Sequence, residues 1–432
     1  YSQADYEEIR SKVRDNYVEE YIGTWRQSLN MMKVQDFEDI RHATEVLHTL
    51  SGTNSPMRRV AELVSENTVI YMPEAKGAQG EGVNLTDVKL EPNREAGLRI
   101  AAAFALIQGM LNERPDGNPS NMDQIQEALK AVYDYMKSVR DAPDPNAKAL
   151  ELAIQRARLA GEDPIFVLQR IADRAPAPFD RQLRHVASEA WRTVMAAATV
   201  ELNRKWQNEV YGTYQRLIAG KYPFDRRSSQ DLPLQDFKEF FRPGGILDSF
   251  YSQELLTFVD VKTGEPKVID GQSLPVNRSF SRRLRHANNI TKSFFDQSGE
   301  LAVEFKVSPV GMSANLSRAV LNFEGQLIVS SHGPSRPITV FWPNIIDGPA
   351  SSRVDLAPLA GKGHALSKQF DGSWSWLRLY DSASKANQSE STVDISFASS
   401  NGQSAIFRIR PEARVNVFFN SPISNFSLPS HL

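Results

Sequence analysis

Residues Thr392–Arg410 read TVDISFASSNGQSAIFRIR. Val393, Ile395 and Phe397 alternate with polar neighbours, so they share one face of an extended strand. Asn401-Gly402 stands between this run and QSAIFRIR. Asn-Gly between two such runs is a hairpin signal, because both residues tolerate the positive φ that a tight reversal needs. The period of two extends backwards. Leu301, Val303, Phe305 and Val307 repeat it, as do Ile338, Val340 and Trp342, and Glu324-Gly325 suggests another hairpin. Several short strands closely spaced by turns predict an antiparallel β-sandwich.

Upstream of Thr257 the spacing is helical. Tyr6, Ile9, Val13, Tyr17, Tyr21, Trp25 and Leu29 recur at three and four, one stripe of a long amphipathic helix. A second helix is expected to start at Asp36 and stop at Gly52, and Ser55-Pro56 and Asp163-Pro164 read as cap followed by first-turn proline. Glu74–Pro92 reads as a glycine-dotted polar loop. Further helices are predicted over 93–113, 120–140, 146–160, 163–174 and 179–219. The expected chain is α+β and multi-domain, a large all-helical N-terminal region followed by a small antiparallel β-sandwich. Its parts are a helical domain over 1–175 and a second helical domain over 176–256. A connector with a basic amphipathic helix covers 257–300, and the sandwich covers 301–432, with a short inserted helix near 373–384 and a C-terminal tail.

The 432 residues suffice for two or three full-sized cores. The net charge of −2 supplies no global field for nucleic acid or anionic membrane. The absence of cysteine excludes disulfides, thiol catalysis and Cys-type zinc sites, and is compatible with a bacterial periplasmic protein. Tyr1 is not an initiator, so the chain reads as part of a longer protein. The longest apolar run, Ile100–Leu111, is shorter than the roughly 20 residues that span a bilayer, so any membrane anchor is expected elsewhere.

Chemical motifs are mostly missing. No G-x-x-x-x-G-K-[ST] occurs, and Gly361-Lys362-Gly363 lacks its spacing. Ser382–Lys385 matches S-x-x-K and Lys262–Gly264 matches K-T-G, but their order is reversed from that of penicillin-binding folds. The histidines (42, 48, 185, 286, 332, 364 and 431) form no H-E-x-x-H, and Asp141, Asp144 and Asn146 lack a calcium loop's glycine. No catalytic, cofactor or metal residues are assigned, and no cofactor is expected.

Two stretches remain. The helix RSFSRRLRHANNITKSFF has Arg278, Arg282, Arg283, Arg285, His286 and Lys292 opposite Phe280, Leu284, Ala287, Ile290 and Phe294. Such a helix binds anionic lipid or nucleic acid, or docks its apolar stripe and leaves the bases solvated; the chain around it is not basic, which favours docking. FDGSWSWLRLYD, Phe370–Asp381, places two tryptophans one residue apart. With Trp342 they could stack sugars. A segment apolar nearly all round reads instead as a short helix plugging the sandwich, capped by Asp371 or Ser373, with Arg378 anchored to a carboxylate or carbonyls.

Taken in order, several strings resemble the C-terminal periplasmic region of the IcmF/TssM family, the inner-membrane component of type VI secretion systems. They are Gly220–Phe224 (GKYPF), Asp236–Gly245 (DFKEFFRPGG), Phe258–Asp260 (FVD), Ile290–Phe295, Trp342-Pro343, and Gly372, Trp374, Arg378, Leu379 and Asp381. YIGTWRQSLN and LSGTNSPMRRV upstream also look like that family. Ser373, where the family often has proline, and the Ser375–Leu377 filling depart from its pattern. The resemblance implies a non-enzymatic periplasmic scaffold of a type VI secretion membrane complex. It implies binding to the outer-membrane lipoprotein TssJ, association with inner-membrane TssL, and homo-oligomerisation into the channel, with no nucleic acid. The alternative is a peptidoglycan- or carbohydrate-binding periplasmic module. Trp374, Trp376, Arg378, Leu379, Phe224, Phe240, Phe241 and Phe294 are expected in the structural core. Trp342, Asn344, Arg336, Phe418, Phe419, Ile423 and Phe426, from loops of the β-domain and the tail, are the expected partner contacts. The tail Val415–Leu432 reads either as such a contact or as a last strand over Val415–Phe419 with a disordered end.

Overall fold

Helices fill the first half of the chain and antiparallel strands the last third. The computed structural model describes residues 2–70, 92–114, 117–260, 263–276, 278–344, 350–360, 365–389, 391–424 and 426–432. The expected loop before Pro92, Lys262 of the K-T-G string, Gly361–Gly363 and His364 lie outside the described residues. So does the side chain of Arg278. The chain divides into two compact units, Tyr1–Glu201 with Val268–Ser273, and Leu202–Lys267 with Leu274–Leu432.

The first unit holds α1 (Gln3–Met31), α2 (Ile40–Ser51), α3 (Pro56–Thr68), α4 (Pro92–Ala103), α5 (Ala105–Gly109), α6 (Asn121–Arg140), α7 (Pro145–Ala157), α8 (Pro164–Ala172) and most of α9 (Phe179–Lys205). Its central helix is α6, which packs on α2, α7 and α8. Met122, Ile125, Leu129, Val132, Met136 and Val139 form its buried stripe at helical spacing, and a Ser120–Asp123 capping box starts it. Three expectations change. Asp39, not Asp36, caps α2, and Asp36 instead meets His185. The helix expected over 93–113 breaks at Phe104. The α1 stripe is not buried along its length: Tyr6, Ile9, Val13 and Tyr17 are exposed, and burial begins at Val18. Among the described residues, Arg156 is the buried cation of this unit. It pairs with Asp163 and Asp270 and lies 4.8 Å over the Trp191 ring, whose Nε1 donates to Ile269 O at 2.7 Å.

The second unit opens with a π-helical stretch, Trp206–Tyr211, that runs into α10 (Gly212–Leu217). There follow α11 (Leu234–Phe241), α12 (Ile246–Phe250) with a π-helical extension to Leu255, and α13 (Arg278–Phe294). The strands are β1 (Val303–Met312), β2 (Leu316–Phe323), β3 (Gln326–Ser330), β4 (Ile338–Trp342), β5 (Ser351–Pro358), β6 (Leu366–Asp371), β7 (Ser384–Ala386), β8 (Val393–Ala398) and β9 (Ser404–Pro411), with α14 (Ser375–Ser382) between β6 and β7. They form one sheet in the order β4-β1-β9-β8-β7 and another in the order β3-β2-β5-β6, with every pairing antiparallel. Phe305, Val307, Ile395, Phe407 and Ile409 from the first sheet and Leu321, Phe323, Ile328, Val354 and Leu356 from the second are fully buried. The alternation of β1, β3, β4, β5 and β9 therefore delivers one face to a common core, whereas β6 and β7 bury no side chain in it.

Candidate functional site

The FDGSWSWLRLYD stretch sits where the helices of the second unit meet its sandwich. β6 ends at Asp371, Gly372 turns the chain at φ +97°, and α14 begins at Ser375. Neither Asp371 nor Ser373 caps this helix. Trp374 occupies the cap position without a side-chain bond to the helix. Its indole points away instead and donates to Leu232 O at 2.7 Å. The ring meets Phe237 edge-on at 5.3 Å, Phe294 at 5.8 Å and Trp342 at 5.0 Å. Two residues on, Trp376 stacks over Phe305 at 5.8 Å and lies 5.4 Å from Trp342. Trp342 Nε1 donates to Ser373 O at 3.1 Å. The exposures of Trp342, Trp374 and Trp376 are 3%, 0% and 1%. They offer no platform for a sugar ring, so the observation that prompted a carbohydrate reading is gone.

Arg378 is held by side chains far away in sequence. Its Nε donates to Asp231 Oδ1 at 3.0 Å, and Nη2 reaches the same oxygen at 2.5 Å and Ser228 O at 3.1 Å. The guanidinium lies 3.8 Å over the Tyr222 ring. Tyr222 in turn donates to Asp381 Oδ2 at 2.9 Å, and Arg226 pairs with the same carboxylate. Burial pushes the Tyr222 hydroxyl well above its ordinary value, with the Asp381 charge adding to the shift. Burial also lifts Tyr380 to about 12 and lowers Lys385, against the pull of Asp381. The sequence reading missed Asp231. It stands 147 positions from Arg378, and no local pattern marks it.

The remaining core candidates divide. Leu379, Phe240, Phe241 and Phe294 are buried, whereas Phe224 is half-buried, stacked on Phe241 at 5.4 Å. The partner candidates divide too. Trp342, Phe418, Ile423 and Phe426 are buried inside this chain, so they present no free surface. Phe418 packs on Phe305 at 5.0 Å and Tyr380 at 5.0 Å. Phe426 packs on Phe241 at 5.4 Å and Tyr214 at 5.9 Å. Asn344 is half-buried and donates to Glu324 O at 2.5 Å. Arg336 is exposed and Phe419 half-buried.

These contacts also correct the reading of the tail. It forms no strand over 415–419; Phe418 packs into the sandwich, and the stretch from Phe426 to Leu432 is placed by the helical layer. Tyr214 donates to Phe426 O at 3.2 Å, Trp206 Nε1 to Pro429 O at 2.9 Å, and Leu432 N to Asn203 Oδ1 at 3.0 Å. Arg283 of α13 donates to Ser427, while Arg282, Arg285 and Lys292 stay exposed above the buried Phe280, Ala287, Ile290 and Phe294. A polar cleft of about 620 Å³ opens beside the tail, with His286, Asn289, Glu412, Arg414 and Phe419 on its walls. Among the described residues no three His, Cys, Asp or Glu side chains gather as a metal site. Ser382 of the S-x-x-K string donates to Leu379 O, and Lys385 faces Asp381 at 3.7 Å.

Three family models match the chain in sequence order. They are the intracellular multiplication and human macrophage-killing region of IcmF-related proteins over 1–69, the type VI secretion protein IcmF helical domain over 197–300, and the IcmF C2-like domain over 305–413. Together they cover well over half of it. The chain belongs to the IcmF/TssM family.

The type VI secretion system component TssM1 of Pseudomonas aeruginosa is 26% identical over 443 aligned residues, which cover 97% of this chain and 40% of TssM1. This chain therefore spans well under half the length of that relative. Two solved structures share the fold. A chain of a "Type VI secretion system membrane core complex" superposes with TM-score 0.75 at 18% identity, covering 98% of this chain and 84% of the other. A chain of a "Type VI membrane complex" gives TM-score 0.75 at 19% identity, covering 98% and 80%. In family terms, Tyr222 and Asp231 belong to the IcmF helical domain and Arg378 and Trp374 to the C2-like domain. The junction described above is the contact between them. Among the described residues, no helix is long and apolar enough to cross a membrane.

Proposed function

We propose that this chain is a non-enzymatic scaffold segment of a type VI secretion membrane complex, held in the periplasm. It docks the outer-membrane lipoprotein TssJ through its C2-like domain, associates with inner-membrane TssL, and assembles with further copies of itself around the secretion channel. The observation that carries this reading is the junction of the IcmF helical and C2-like domains. Arg378 on Asp231 and Tyr222, Trp374 on Leu232 and Phe237, and the tail laid across α10 and α13 make one unit of the two. Such a junction suits a part that transmits position between partners. The loops of the C2-like domain and the tail carry the TssJ contact, with Arg336, Asn344 and Phe419 the candidates that reach the surface.

The test is calorimetric titration of the 432-residue chain with soluble TssJ from the same organism, with peptidoglycan sacculi in a parallel pull-down. Saturable binding to TssJ and none to sacculi is the expected outcome. Binding to sacculi alone would replace the scaffold reading with cell-wall recognition.

A further inference from the structure

A sandwich of two open sheets has four edge strands, here β4 and β7 in one sheet and β3 and β6 in the other. Exposed edges invite unwanted pairing, and proteins guard them with charge, proline, shortness or a covering group. Three of these edges are guarded. β7 is only three residues long and carries Lys385. β6, LSKQFD, carries the exposed Lys368. β4 lies between Pro337 and Pro343, and the Gln326 amide covers its middle, donating to Phe341 O at 2.8 Å and accepting from Phe341 N at 2.9 Å.

β3 has none of these devices. Its sequence, QLIVS, has no charge and no proline, and its pairing with β2 runs without a bulge. Glu324 and Gly325 both have positive φ, 50° and 90°, the geometry of a type I′ two-residue hairpin. In that hairpin Phe323 and Gln326 form the hydrogen-bonded pair next to the turn, as do Leu321 and Ile328 further along. The backbone N–H and C=O of Leu327 and Val329 consequently face away from β2. Their side chains are 53% and 49% exposed, and Phe341, tied to this edge through Gln326, is 40% exposed.

We propose that β3 pairs antiparallel with β3 of a second copy of this chain, across a two-fold axis at Ile328. In that register Leu327 of each copy faces Val329 of the other. Each of these pairs exchanges two backbone hydrogen bonds, and the two four-stranded sheets become continuous. The edge is self-complementary for two reasons. The outward apolar residues are related by the axis, and no charge lies on the strand to meet its own copy. A two-fold pairing tolerates no like charges face to face, and among the described residues this is the one edge of the four without a charge, a proline or a cover. The proposal rests on the self-assembly reading above and gives it an interface; it is independent of TssJ docking, which is assigned to loops and the tail.

Sedimentation velocity of the 432-residue chain across a range of concentrations tests it, together with cross-linking. The chain has no cysteine, so introduced ones are unique. An equimolar mixture of Leu327→Cys and Val329→Cys is expected to give the mixed disulfide in excess over both homodimers. Val329→Lys is expected to weaken the dimer about tenfold or more, with an unchanged circular dichroism spectrum. A monomer at every concentration overturns the proposal, even if TssJ binds. So does a dimer that Val329→Lys leaves intact, or one that cross-links without preference for the mixed pair.

Discussion

Gly372 and Asp231 are in contact only because Gly372 has no side chain. A Cβ built on Gly372 would lie 2.5 Å from Asp231 Oδ2, and the backbone there has φ +97°. The carboxylate cannot swing aside freely, because Arg378 holds its other oxygen. Gly372→Ala therefore meets both backbone strain and a clash. It is expected to destabilise the second unit by about 2 kcal/mol. Denaturant unfolding followed by tryptophan fluorescence measures this, and an unchanged midpoint would refute it.

Arg378→Lys is expected to behave as a loss and not as a conservative change. A lysine keeps the charge but lacks the planar fork that spans Asp231 and the Ser228 carbonyl, and it stacks poorly on Tyr222. The pair is about one-fifth exposed on the arginine side, which moderates the effect. A cost of about 2 kcal/mol is expected, close to that of Arg378→Met. Recovery of wild-type stability in the lysine variant would show that charge alone suffices.

The strands were legible because burial on one face writes a period of two into Val393–Phe397 and Val303–Val307. The Glu324-Gly325 turn was legible from its dipeptide. The Asn401-Gly402 turn sits inside a longer connection, Ser399–Gln403, between β8 and β9. What stayed hidden follows from range. The tail has no period because its residues pack individually, with partners more than two hundred positions away in Trp206 and Tyr214. In sequence alone its apolar residues therefore read as an unoccupied contact surface. The α1 stripe failed in the opposite direction. Tyr6, Ile9, Val13 and Tyr17 have helical spacing, but spacing says nothing about whether a neighbour covers them. Asp36 carries the right residue type for a cap, yet the helix is capped three residues later, at Asp39.

Trp374→Ala removes a fully buried indole from the ring of Phe237, Phe294 and Trp342 and leaves Leu232 O without its donor. The expected cost is ~4 kcal/mol. Trp374→Phe keeps most of the packing and loses the hydrogen bond, so about 1–2 kcal/mol is expected. Equal stability of the phenylalanine and alanine variants in thermal melts would mean that the bond, not the packing, fixes this residue.

Phe426→Ala tests the tail. The ring touches Tyr214, Phe224 and Phe241, so its loss is expected to cost ~3 kcal/mol. It is also expected to release the chain after Ile423 to limited proteolysis while the sandwich stays intact. A protease-resistant C-terminus in this variant would show that Trp206 on Pro429 and Asn203 on Leu432 hold the tail without the aromatic anchor.

Glu324 gives the pH dependence. It turns the β2–β3 hairpin at φ 50° and is 8% exposed, with Ser375 Oγ 3.5 Å from its carboxylate. Burial raises its pKa above the ordinary 4.5, and hydrogen bonds from Asn344, Ser375 and Trp342 offset only part of that. A raised folded value means that the folded chain favours the neutral acid. The stabilisation is complete below the unfolded value and is lost as pH rises through the folded one. Ionising this carboxylate in the folded turn therefore carries a cost that grows as pH rises. Glu324→Gln keeps the shape and removes the ionisation. It is expected to raise the melting temperature at pH 7, with the gain shrinking towards pH 4. A variant less stable at pH 7 than the wild type would mean that the carboxylate's bonds to Ser375 and Trp342 outweigh its desolvation.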